Sequence, residues 1–136
     1  MALLDTTALV DLGRRAMAPE HRRVRSVVMR LLRGGEYLCT SRINEAEFRV
    51  GPEMVEQRQR ELERVEQVLS GVAILEFDAR ASQVYAVLKA ASFKSGRPMG
   101  DCDTMIAAVA LVNGQMLLTR NARHFQNIPG LIVQIY

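Results

Sequence analysis

The chain has 136 residues, of which 49% are hydrophobic and 24% charged, with a formal net charge of +3. This is an ordinary globular composition with room for one core, so one domain over residues 1–136 is expected and disorder is excluded. Two cysteines, Cys39 and Cys102, with no CxxC pair, exclude a disulfide scaffold.

No apolar run approaches the roughly 20 residues needed to span a bilayer. The opening MALLDTTALVDLGRRA lacks the basic head and cleavage site of a secretory leader, so a cytoplasmic protein without a membrane partner is expected. Lys89 and Lys94 are the only lysines among the 18 basic residues. Arginine's planar fork suits phosphate, although a GC-rich genome gives the same bias.

The apolar run Met1–Leu4 stops at Asp5 and predicts a first strand that delivers a carboxylate. TTALVDLGRRA continues as a helix, with Thr6 or Thr7 offering a cap. Val24, Val27, Val28, Leu31 and Leu32 have helical spacing from His21 to Arg33, where Gly34-Gly35 stops them. EYLCTS reads as a strand. Ser41 caps the next helix, RINEAEFRVG, with Asn44 and Glu45 forming a loose capping box, and Gly51 ends it. Pro52 suits the first turn of another helix reaching Leu69. The charge density there predicts a projecting helical hairpin arm over residues 52–70.

VAILEF then gives a buried strand, and Asp78 caps a helix carrying Ala81, Val84, Tyr85, Leu88 and Ala91. KSGRPMG is rich in turn residues and precedes the apolar helix DCDTMIAAVALVN, closed by Gly114. QMLLT is a strand, RNARHF a short helical turn, NIPG a turn and LIVQIY a last strand. Alternating buried strands and helices predict an α/β domain with a parallel sheet covered on both faces.

In such a sheet the ligand crevice lies beyond the carboxyl ends of the strands. Asp5 ends the first strand, Asp101 and Asp103 open an apolar helix, and Thr119-Arg120-Asn121 ends QMLLT, so parallel strands put them on one edge. Glu47, on the helix opened by Ser41, leans back over that edge. Converging carboxylates repel one another unless a cation lies between them. An oxygen-only ligand set favours Mg²⁺ or Mn²⁺, ions that activate water and neutralise charge on a phosphodiester. There is no GxSxG, Walker A, GxGxxG or HExxH motif, and His21 and His124 are far apart in sequence.

Each residue also has a structural reading. Asp5 can cap a helix, Glu45 and Glu47 can share a solvated face, and Asp101 and Asp103 can serve the helix dipole. Thr119 can satisfy buried backbone and Arg120 can be a surface charge. Singly these readings win; at corresponding strand ends the metal site is favoured.

The segments LLDTTALVDL, TSRINEAEFRVG and MGDCDTMIAAVALVNGQMLLTRNARHFQNIPGL resemble PIN-domain proteins, in particular the VapC toxins of bacterial toxin–antitoxin pairs. The last segment is the most specific, and the likeness covers the whole chain. It implies a three-layer α/β/α domain with a central parallel five-stranded sheet. It also implies an endoribonuclease that cuts RNA, such as tRNA or rRNA, with Mg²⁺ or Mn²⁺.

Carried over by position, the acids are Asp5, Glu47 and Asp103, with Asp5 and Asp103 as metal contacts and Thr6, Thr119, Asn121 and Arg120 in support. Asn121 stands where some relatives have a fourth aspartate, and Asp101 is the candidate to restore the missing charge. The resemblance further implies a cognate VapB-like antitoxin, a homodimer, and phosphate contacts from arginines such as Arg14, Arg15, Arg97, Arg120 and Arg123. The alternative is a catalytically silent PIN fold that binds RNA or protein.

Overall fold

Successive residues of a strand point to opposite faces of its sheet, and this parity sets the layers of the chain. The computed structural model describes residues 1–136. It runs β1 (Ala2–Leu4), α1 (Thr6–Leu12), α2 (Pro19–Arg33), β2 (Leu38–Ser41), α3 (Arg42–Glu53), α4 (Arg58–Leu69), β3 (Ala73–Leu75), α5 (Ala79–Lys94), α6 (Asp101–Val112), β4 (Met116–Thr119), a 3₁₀ turn (Ala122–His124) and β5 (Val133–Ile135). The five strands are parallel in the order β3-β2-β1-β4-β5.

In register, Leu3 lies beside Cys39 and Leu117, and Leu4 beside Leu118. Leu3, Cys39 and Leu117 pack with α6 residues Ile106 to Ala110, Ala81 of α5, Phe125 and Ile128. Leu4 and Leu118 pack on the other face with Ala8, Leu9, Val24, Val28, Phe48, Val65 and Leu69, from α1 to α4. Helices therefore cover both faces, giving the expected three layers. Each fully buried leucine contributes about 1.5–3 kcal/mol by leaving water. No helix is long and apolar enough to cross a membrane.

Several expectations change: α1 stops at Leu12, and β3 and β5 are shorter than VAILEF and LIVQIY. Helix α2 starts at Pro19, because proline suits the first helical turn. Helix α3 continues through Gly51 and Pro52 to Glu53. Pro52 is buried in the last turn, where its missing N–H forgoes one hydrogen bond to the carbonyl four residues back while its ring leaves water. Helix α4 is no projecting arm: Val65 and Leu69 are buried against Phe48, since its apolar stripe outweighs its charge density. The cap of α1 is Asp5 rather than Thr6 or Thr7.

The topology fixes where a site can form. From β1 the chain moves outward through β2 to β3, then returns to the other flank of β1 as β4. Strand order thus reverses between β1 and β4, and a crevice opens beyond their carboxyl ends. Asp5 follows β1 there, and Thr119 ends β4.

Cys39 carries a testable consequence of core packing. Its thiol is fully buried on β2, donates to the Ala2 carbonyl at 3.4 Å, and is pushed up to about 11, chiefly by burial. The unfolded chain therefore loses this proton at a lower pH than the folded chain. The related stability is present below the ordinary thiol value of 9.0 and is lost as pH rises toward about 11. Urea unfolding between pH 8 and pH 11 is expected to show falling stability, with a shallower slope in Cys39→Ala. An unchanged slope in that variant would assign the alkaline loss to other groups.

Candidate active site

Asp5 is the residue at which β1 turns into α1. As N-cap it accepts from the Ala8 N–H at 2.9 Å, and the same Oδ1 accepts from the Thr7 hydroxyl at 2.6 Å. Its Oδ2 accepts from the Thr119 hydroxyl of β4 at 2.5 Å. The residue is only 5% exposed. Burial raises its carboxyl above the ordinary value in spite of the donors from Thr119, Thr7 and Ala8. Burial opposes the charged form unless compensating charge is supplied.

Glu47 approaches the same corner from α3. It accepts from the Thr6 hydroxyl, which in turn accepts from the Asn44 amide at 3.0 Å. Asn44 is fully buried, and its carbonyl oxygen accepts from the Ser41 hydroxyl at 2.5 Å. Ser41 also caps α3 by accepting from the Asn44 N–H at 3.1 Å. A polar chain thus runs from the end of β2 to the start of α1 and fixes α3 over the strand ends.

Glu45 points elsewhere and shares no solvated face with Glu47. It is buried between Arg42 and Arg49, and Arg49 reaches it at 2.9 Å. Buried Asp11 is likewise met by Arg14 at 2.9 Å and Arg120 at 3.3 Å. Asp5 and Glu47, in contrast, have no cationic side chain within ion-pair distance.

Asp103 and Asp101 part company. Asp103 is half-buried and lies 2.9 Å from His124 Nδ1. Asp101 is 69% exposed, pairs with Lys89 at 2.8 Å and accepts from the Tyr85 hydroxyl at 3.1 Å. The hydrogen bonds from Lys89 and then Tyr85 hold its carboxyl below the ordinary range. Asp101 thus clamps α6 to α5 instead of standing in for the missing acid. Between them Cys102 lies beside Glu47: its thiol is raised first by desolvation, then by the negative charge of Glu47 and Asp103.

Of the supporting residues, Thr6 and Thr119 bond directly to the acids. Asn121 is exposed and donates its backbone N–H to the Thr119 hydroxyl at 2.9 Å. The Arg120 side chain is drawn to Asp11, and its N–H donates to Thr7 at 3.1 Å. His124, Asn44, Thr7 and Asp11 were not expected at the site. The Ser41–Asn44 spacing could have pointed to Asn44; no local spacing pairs His124 with Asp103.

No three acidic, histidine or cysteine side chains converge into a ready-made metal cage. Glu47 is turned onto Thr6 and Asp103 onto His124. The donor set nevertheless fits a hard divalent cation. Its candidate members are oxygen ligands, and the buried Asp5 carboxylate lacks the positive charge that every comparable buried acid of this chain possesses.

A PIN-domain family model matches residues 2–131. A tRNA(fMet)-specific endonuclease VapC of Shigella flexneri is 32% identical over 94 residues, 69% of this chain and 71% of that protein. A Ribonuclease VapC2 of Haemophilus influenzae is 30% identical over 110 residues, 81% of this chain and 83% of that protein. DNA-bound VapBC from Salmonella typhimurium superimposes with a TM-score of 0.82 at 30% identity, covering 99% of this chain and 98% of that one. The topology, the placement of Asp5 and these likenesses agree: the chain belongs to the PIN-domain family and, within it, to the VapC ribonucleases.

Proposed function

We propose that residues 1–136 act as one domain, a cytoplasmic Mg²⁺- or Mn²⁺-dependent endoribonuclease toxin whose site is Asp5, Glu47 and Asp103. The observation that carries this reading is the buried Asp5 carboxylate at the β1–β4 switch point, held by Thr119, Thr7 and Ala8 without any cationic side chain. A divalent ion there would be held by Asp5 and Asp103, with Glu47 beside them. When bound, it supplies an activated water and neutralises charge on a phosphodiester.

The chain's own residues do the positioning. Thr119 and Thr7 fix the Asp5 oxygens from two sides. Asn44 and Thr6 hold Glu47 toward the strand ends, and His124 holds Asp103. Asp101 belongs to the α5–α6 clamp, so the site has one acid fewer than four-acid relatives, with the exposed amide of Asn121 in that place.

The substrate proposed is RNA, with tRNA the first class to try, because a similar VapC is named for tRNA(fMet). A VapB-like antitoxin is the proposed partner, because VapBC complexes from Salmonella typhimurium and nontypeable Haemophilus influenzae share the fold at 30% and 27% identity. Exposed Met17, Val50, Met54 and Val55 leave apolar surface for that partner or for a second copy in a homodimer.

Asp5→Asn keeps a capping side chain and removes the charge. It is expected to fold, by circular dichroism, and to lose RNA cleavage by more than the roughly 100-fold that outer-shell changes reach; Asp103→Asn is expected to do the same. Cleavage by both variants at the wild-type rate would move the active site elsewhere.

Titration calorimetry with Mn²⁺ is expected to show binding to the wild-type protein and binding weakened by roughly 10–100-fold in Glu47→Gln. A protein that binds no Mn²⁺ and cuts neither bulk tRNA nor rRNA in gel assays is instead the silent binding module.

A further inference from the structure

Beside Asp103 the surface opens into a cavity of about 700 Å³, bounded by the end of α5, the 95–100 loop and the segment that follows the 3₁₀ turn. That volume is within the range of small-molecule sites and suits one nucleotide unit. Leu88, Met99 and Ile128 give it apolar surface. Arg97 and Arg123 line it too, and neither has an acidic partner, unlike Arg42 and Arg49 on α3 and Arg58 and Arg64 on α4. Asn127 also lines it, is exposed, and its amide makes no hydrogen bond within the protein. Asp103, at the edge shared with the active site, is the only carboxylate among the lining residues.

Each feature has a counterpart in a nucleotide. Single-stranded RNA presents bases that can be splayed onto apolar or guanidinium surfaces and read along their edges. An asparagine amide offers an adjacent donor and acceptor, the pair that reads a base edge. Two uncommitted arginines match phosphate, which they contact by charge-assisted hydrogen bonds.

We propose that this cavity holds the nucleotide adjoining the scissile phosphate, with Asn127 reading the base and Arg97 and Arg123 holding its flanking phosphate. The proposal rests on the ribonuclease reading above and adds the residues that set base preference.

Two measurements on the full chain test it. In the first, bulk bacterial tRNA is digested with Mn²⁺ and the cut ends are sequenced. Wild-type protein is expected to favour one base beside the cut, Asn127→Ala to flatten that preference, and Asn127→Asp to move it toward cytosine, whose amino group donates to a carboxylate. Arg97→Ala and Arg123→Ala are each expected to raise KM by roughly 10-fold while kcat changes little. Unchanged base preference in both Asn127 variants, with unchanged KM in both arginine variants, overturns the subsite. So does loss of antitoxin capture by the arginine variants with RNA kinetics intact, which would make the cavity a protein-docking groove.

In the second, each of the four ribonucleoside monophosphates is titrated into ¹⁵N-labelled protein. Shifts at Asn127, Ile128 and Arg97 are expected to saturate and to vanish in Arg97→Ala, and their absence overturns the proposal. If wild-type protein cuts no RNA, the ribonuclease reading fails, and the monophosphate shifts still decide the cavity.

Discussion

One carboxylate joins the two halves of the sheet. Asp5 Oδ1 closes the first turn of α1, while Oδ2 receives the Thr119 hydroxyl from β4, a residue 114 positions away in sequence. The helix end, the central strand pair and the crevice between them thus share a single side chain. Burying an ionised carboxylate is costly unless it is paired or richly hydrogen-bonded. The fold meets that cost with three donors and leaves the carboxyl raised nonetheless. A cation at this corner would add the one interaction that the protein's own groups do not supply.

Around Asp5 the polar groups form layers. Thr7 donates to Asp5 and accepts from the Arg120 N–H. The Tyr136 hydroxyl lies 3.4 Å from Thr7 and donates to Asp11 at 2.8 Å, while Asp11 holds Arg120. On the other side Ser41, Asn44 and Thr6 connect β2 to Glu47. Buried networks of this kind rigidify a site when satisfied, and each missing member leaves a partner unpaired in low dielectric. The site is consequently held from β1, β2 and β4 and from α1 and α3, not from a loop alone.

The sequence patterns were informative where one residue type has one physical role. Alternating buried strands and helices gave the parallel sheet, and a strand stopping at an acid gave Asp5. Asp101 and Asp103 show the limit. At 3.6 residues per turn, residues two apart face about 200° away from each other around the helix. Asp103 turns to His124 and Asp101 to Lys89 and Tyr85 of α5, so the two acids face different neighbours. The resemblance made Asp101 the candidate to offset Asn121; its neighbours are instead the Lys89 and Tyr85 side chains. Pro52 misled for a different reason, since tertiary burial in the last turn of α3 overrode its usual place at a helix start. His124 and Tyr136 reach their partners only through the fold, and no local spacing announces them.

Charge is divided between structure and site. Along α3 and α4, Arg42, Arg49, Arg58 and Arg64 are spent on Glu45, Glu76, Glu66, Glu53 and Glu61. Most of these pairs are exposed and contribute little each, but they cancel most of the basic charge on that side. The net charge of +3 therefore understates the positive charge in the cavity beside Asp103, where Arg97 and Arg123 form no ion pair. A polyanion responds to local charge arranged along its backbone more than to a protein's total. Acids without cations at Asp5 and Glu47, and arginines without ion pairs in the cavity beside Asp103, form the pattern that a metal ion and a phosphodiester would complete together.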